Sequence, residues 1–111
     1  MAAPLHRGEV WMFTFAPPDK RRPVLVLSRE AILPVLRQVN IAEITSTIRG
    51  LPTEVVLGVE DGMKHACCVN LHQVYTVERA LLRSYVTTLS ADKMRMVCKA
   101  LSAAMGCTGV G

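Results

Sequence analysis

Residues 9–28 read EVWMFTF, then APPDKRR, then PVLVLS, and this stretch decides the fold. From Glu9 to Phe15 large apolar residues alternate, with Trp11, Phe13 and Phe15 on one face and Val10, Met12 and Thr14 on the other. That period of two predicts a strand. Pro17 and Pro18 stop it, and Asp19, Lys20, Arg21 and Arg22 form a polar turn. Pro23 then opens the run Val24-Leu25-Val26-Leu27, closed by Ser28. A run apolar on both faces suits a central strand, with Pro23 at its start because proline cannot donate into the ladder.

Outward from this hairpin the same reading continues. Residues 29–36 allow at most a turn or two of helix before Pro34. Val39–Ile44, Thr53–Leu57 and Ala66–Leu71 read as further strands. Gly50 and Pro52 mark a turn, and residues 58–62 a loop. Val77–Leu82 reads as a short helix and Tyr85–Leu89 as a last strand. The clearest helix comes at the end. Ser90 is placed as its N-cap, Asp92 lies in its first turn, and Gly106 sits where a left-handed C-cap is wanted. Met94, Val97, Cys98, Leu101, Ala104 and Met105 follow its period. The expected class is mainly β, a small strongly bent β-barrel with accessory helices, its C-terminal helix packed on it.

Composition narrows the rest. The 111 residues are half apolar and one-fifth charged with a net charge of +4, which fits one globular domain and not a disordered chain. No apolar run approaches the ~20 residues of a membrane span. Arg7 and Glu9 interrupt the N-terminus before any secretory signal could form, so a cytoplasmic location is expected. Four cysteines without a scaffold spacing read as free buried thiols in a reducing compartment. Cys67 and Cys68 would point to opposite faces of a strand, so His65-Ala66-Cys67-Cys68 is not a metal site. His6, His65 and His72 are scattered and read as surface residues. The mild basic excess permits a nucleic acid or an acidic peptide as partner without requiring one.

A few residues could carry chemistry. Arg22 directly precedes Pro23, which biases it toward extended backbone. A guanidinium held there can donate two parallel hydrogen bonds to a phosphate, although an arginine in a basic turn is ordinarily a solvated charge. Thr45-Ser46-Thr47 sets three hydroxyls at a strand end with Arg49 close behind, an anion site or a common polar turn. Asn70 and Gln73 can read a base edge or tie down a loop. The aromatics of the first strand could stack bases, but a chain with five aromatic residues needs them in its core. No nucleophile elbow, P-loop or carboxylate pair is present.

Several blocks, in order, resemble the MazF/PemK toxin family: Arg7-Gly8-Glu9-Val10-Trp11, Arg22-Pro23-Val24-Leu25-Val26-Leu27-Ser28, Ile44-Thr45-Ser46, Leu51-Pro52-Thr53-Glu54-Val55 and Val69-Asn70-Leu71-His72-Gln73-Val74. The resemblance runs from about Arg7 to Cys107, within a single domain spanning residues 1–111. It implies an SH3-like barrel acting as a homodimer, the toxin of a type II toxin–antitoxin pair. It also implies an endoribonuclease that cuts single-stranded RNA by attack of the 2′-hydroxyl, without metal or other cofactor, leaving a 2′,3′-cyclic phosphate. Arg22 and Thr45 correspond to the family's catalytic arginine and threonine. Lys20, Arg21, Ser46, Thr47, Arg49, Asn70 and Gln73 are the expected RNA contacts, and an antitoxin with an acidic or apolar tail the expected protein partner. Two other functions fit the same barrel: a gyrase-inhibiting toxin and a non-catalytic nucleic-acid-binding domain.

The chain departs from the family in three ways. The loop at residues 16–21 is short, an acid sometimes assigned a role there has no counterpart except Asp19, and Tyr75 replaces an arginine common two positions after the block's glutamine. A shorter rim would open the groove to tRNA or rRNA loops as well as mRNA.

Overall fold

The computed structural model describes residues 4–16 and 20–107. The proline stop at Pro17 and Pro18, and Asp19, lie outside the described residues. Six antiparallel strands form one curled sheet: β1 (Glu9–Thr14), β2 (Arg21–Val26), β3 (Gln38–Thr45), β4 (Glu54–Leu57), β5 (Cys67–Glu78) and β6 (Ser84–Thr88). Their order is β4-β5-β3-β2-β1-β6, so β4 and β6 are edges and the sheet is a half-barrel. The opening is bridged by side chains. Thr87 Oγ1 of β6 donates to the carbonyl of Asp61, just after β4, at 3.0 Å. Gly62 follows with φ 92°, where a Cβ would collide with Thr87, so only glycine fits this crossing.

Alternation along each strand divides the apolar residues between two faces. On one, Val10, Leu25, Ala42, Ile44, Val55, Leu57, Cys67 and Val69 form a core against Val97 and Ala100 of the helix α1 (Ala91–Met105). On the other, Trp11, Phe13, Val24, Val26, Val39 and Ile41 cluster with Leu33 and Leu82. Leu33 comes from a 3-10 helix, Glu30–Val35. Fully burying a Leu or Val contributes about 1.5–3 kcal/mol relative to exposure, so both faces help to hold the sheet.

The expected caps of α1 are present. Ser90 Oγ accepts from the Lys93 N–H at 3.1 Å, and Gly106 closes the helix at φ 70°.

Four expectations are corrected. Arg21 and Arg22 belong to β2 and not to a turn, and Pro23 is the third residue of that strand. The β2–β3 ladder opens only at Val24, paired with Glu43, so Pro23 lies one residue before the donor it lacks would be needed. Pro34 lies inside the 3-10 helix instead of after it, since that helix is too short for the missing N–H to matter. The strand at Ala66–Leu71 runs on to Glu78, and only Arg79–Leu81 is helical, as one 3-10 turn. Finally, Cys98, Cys107 and Met105 are exposed, whereas Cys67 and Cys68 are buried. One helix lying on a curved sheet buries a narrow stripe, here Val97 and Ala100.

Candidate active site

The site is built where β2 and β3 separate. Their last rung is Val24 opposite Glu43. Arg22 lies two residues before Val24, and Thr45 two residues after Glu43. By alternation all four side chains leave the same face of the sheet, the one away from α1. Pairing extends the row across the next strands. Glu43 is opposite Asn70, which is opposite Glu54; Thr45 is opposite Cys68, which is opposite Val56. Polar residues thus continue the aromatic face directly, since Phe13 on β1 is opposite Arg22.

The guanidinium of Arg22 is fixed from one side. Its Nη1 donates to Glu43 Oε1 at 2.6 Å, with the Arg22 side chain 38% exposed and that of Glu43 14%. Glu43 stands at an irregularity of the sheet. Ala42 pairs with Val74 but Glu43 with Asn70, so the β3 ladder skips Leu71, His72 and Gln73 of β5. Bulges of this kind bend a strand and re-aim the neighbouring side chains. Asn70 is buried, and its Oδ1 accepts from the His72 N–H at 2.9 Å, so it braces the bulge. The His72 ring in turn hydrogen-bonds the Thr53 hydroxyl.

Thr45 ends β3, and its Oγ1 accepts from the Thr47 N–H at 3.2 Å, turning the chain outward. Ser46, Thr47 and Arg49 follow in an exposed segment. Glu54 holds that segment, since its Oε1 accepts from the backbone N–H groups of Arg49, Gly50 and Leu51 at 3.0, 2.9 and 3.3 Å. Desolvation pushes its carboxyl up, but these donors and the Arg49 charge prevail and leave it below the ordinary carboxylate value. Cys68, opposite Thr45 on β5, is buried. Burial first, then the Glu54 charge and Cys67, push its thiol up to about 11 against a small opposing effect of Arg49.

The structure therefore brings Arg22, Thr45 and Asn70 onto one face, with Ser46, Thr47 and Arg49 at its rim. It separates Arg21, which alternation turns to the opposite face, where Nη2 donates to Ser84 Oγ at 2.6 Å. Lys20 is exposed just before β2. Gln73 is exposed in the bulge, its Oε1 accepting from the Tyr75 hydroxyl at 2.7 Å. Sequence reasoning missed Glu43. Its signal was a lone carboxylate inside the apolar strand Ile41-Ala42-Glu43-Ile44, a position that needs a partner to be half-buried. Among the described residues, no three His, Cys, Asp or Glu side chains are grouped to hold a metal ion.

The chain as a whole is similar to known proteins. A family model described as the PemK-like, MazF-like toxin of type II toxin–antitoxin systems matches residues 6–105. The protein named probable endoribonuclease MazF5 from Mycobacterium tuberculosis is 44% identical over 103 residues, 92% of this chain and 94% of that one. The solved M. tuberculosis toxin MazF-mt6 superposes with a TM-score of 0.81 at 31% identity, covering 88% of this chain and 96% of its own. A mycobacterial endoribonuclease solved in complex with its cognate antitoxin gives a TM-score of 0.81 at 27% identity, over 94% and 96% of the two chains.

Proposed function

Because this chain belongs to the PemK-like, MazF-like toxin family of type II toxin–antitoxin systems, we propose that it is an endoribonuclease whose active site is the Arg22–Thr45 end of the sheet. The observation that carries the reading is the common face of these two side chains, one on each strand, just past the Val24–Glu43 rung. A phosphate lying over the gap between β2 and β3 meets a guanidinium from one strand and a hydroxyl from the other.

Attack by the RNA's own 2′-hydroxyl, whose proton passes to solvent, forms the P–O2′ bond of a dianionic phosphorane. The P–O5′ bond then breaks as the 5′-oxygen takes up a proton from solvent and leaves as a hydroxyl. The nucleophile and the leaving group both belong to the substrate, so the protein's task is to orient the backbone and stabilise the developing charge. Arg22 has N–H donors beyond the one given to Glu43. Thr45 can donate its hydroxyl proton to a non-bridging oxygen while its Oγ1 still accepts from Thr47. Lys20 and Arg49 add positive charge along the strand's path, and Ser46 and Thr47 add hydrogen-bonding groups. The substrate is single-stranded RNA, whose unstacked bases are free to meet side chains around the site, as those of a duplex are not. The proposed setting is a cytoplasmic homodimer whose antitoxin covers Arg22 with an acidic or apolar tail.

The test is incubation of the protein with an RNA of mixed sequence in EDTA. Discrete cuts ending in 2′,3′-cyclic phosphate are expected, with Arg22→Ala slowing cleavage by about 10²–10³. Uncut RNA, or an Arg22→Ala protein that cuts at the wild-type rate, would refute the assignment.

A further inference from the structure

We infer that Glu43 is the positioning residue for Arg22, clamping one nitrogen of the guanidinium so that its remaining donors face the scissile phosphate. The inference rests on the cleavage reading above and adds to it a residue from outside the family blocks quoted from the sequence. Three observations carry it. The Nη1–Oε1 separation of 2.6 Å is that of a charge-assisted hydrogen bond. Glu43 is the more buried partner, 14% exposed against 38%, so the carboxylate is the fixed element and the arginine the one it holds. And Glu43 stands on β3 between Ala42 and Thr45, at the step where the β3–β5 ladder is interrupted, which ties the Arg22 clamp to the strand that delivers Thr45.

An arginine near the start of a strand has four rotatable side-chain bonds, and a free one samples many directions. Anchoring one nitrogen removes most of that freedom before substrate arrives. The carboxylate also cancels part of the arginine's charge in the resting site. The guanidinium is therefore held less for tight ground-state binding than for the phosphorane, whose extra negative charge draws the remaining N–H groups most strongly. Loss of the clamp should accordingly appear in kcat more than in KM.

The experiment compares wild type, Arg22→Ala, Glu43→Ala and Glu43→Gln on one RNA. Binding to its non-cleavable 2′-deoxy analogue and the 15N NMR signal of the Arg22 Nε–H group are measured in parallel. Glu43→Ala should lower kcat by about 10²-fold, the usual consequence of a reacting group displaced by about 1 Å, while KM and analogue affinity stay the same or improve. Glu43→Gln keeps the length and an acceptor oxygen, and should recover to within about tenfold of wild type. The Arg22 Nε–H signal should be ordered in wild type and motionally averaged in Glu43→Ala.

The inference is overturned by an Arg22 signal equally ordered without Glu43, by wild-type kcat in Glu43→Ala, or by a Gln variant as slow as the Ala variant, which would make the carboxylate a proton acceptor. Failure of the cleavage reading is seen separately, in the wild-type and Arg22→Ala arms. The NMR arm tests the clamp whichever way those arms fall.

Discussion

The two faces of the curled sheet are built from the same strands and spend their residues differently. On the helix side, Leu25, Ile44, Val69 and Leu57 meet Val97 and Ala100, and the cluster is apolar from end to end. On the other side, Trp11, Phe13, Val24 and Ile41 start an equally buried cluster, which gives way within two residues to Arg22 and Glu43, and two residues further on to Thr45. On β2, Leu25 and Arg22 are three residues apart and point to opposite faces. One face is committed to stability, whereas the other carries stability at its middle and the proposed site at its end, where β2 and β3 stop pairing. The site thus inherits a rigid floor without drawing on the main core.

The contrast makes opposite demands on two substitutions. Leu25→Ala removes a side chain with no exposure from the helix-side core, and should cost about 2–5 kcal/mol of folding stability in denaturant titration, leaving the rate per folded molecule unchanged. Thr45→Val keeps shape but deletes the hydroxyl. It should slow RNA cleavage by about 10²–10³ with an unfolding midpoint close to wild type, and Thr45→Ser should restore most of the rate. A Thr45→Val protein as destabilised as Leu25→Ala would show that the two faces are not separable.

The cysteines sharpen the same comparison. Cys67 and Cys68 are buried on opposite sides of β5, and Cys98 and Cys107 are exposed. With its thiol near 11, Cys68 at pH 8 carries a thiolate fraction on the order of 10² below that of an ordinary cysteine. An Ellman's titration should find two thiols reacting quickly in the folded protein and four after unfolding. Three or more fast thiols in the native state would mean that β5 opens readily beside Thr45.

Much of this frame was legible in the sequence. Alternation from Glu9 to Phe15 and the apolar run after Pro23 specify neighbouring strands. Ser90 and Gly106 bracket α1 because capping is a local matter of one hydroxyl and one left-handed residue. The resemblance supplied Arg22 and Thr45. What was not legible depends on pairing between distant segments. The continuation of β5 to Glu78 was hidden because Leu71, His72 and Gln73 break the alternation, and only the β3 ladder shows that the strand resumes at Val74. The opposed directions of Arg21 and Arg22 followed from the period of two once both were in β2, but a turn reading concealed it. Glu43 is 21 residues from its arginine in the chain, and no spacing rule links them.

The smallest expected effect lies at the N-terminal rim. His6 Nδ1 and Glu30 Oε2 are 2.7 Å apart, and both side chains are more than half exposed. The hydrogen bond to Glu30, with its charge, raises the His6 value above 6.5. The bond from His6, then the Arg7 backbone N–H, holds the Glu30 carboxyl below 4.5. A raised histidine stabilises the fold fully below its unfolded value and loses that contribution as pH rises through its folded value. A lowered carboxyl does so fully above its unfolded value and loses it as pH falls through its folded one. The two contributions overlap between pH 4.5 and 6.5. Comparing unfolding midpoints of wild type and His6→Ala across pH should therefore show the largest difference in that window, declining above it. In about 1 M salt, where the screening length falls to about 3 Å, the difference should shrink, as expected of an exposed pair. Because this pair lies outside the polar row of Arg22, Glu43 and Thr45, the same substitution should leave cleavage at pH 8 unchanged. A cleavage defect in His6→Ala at that pH would mean that the rim and the active site communicate through the sheet, and that the chemistry is not confined to the end of one face.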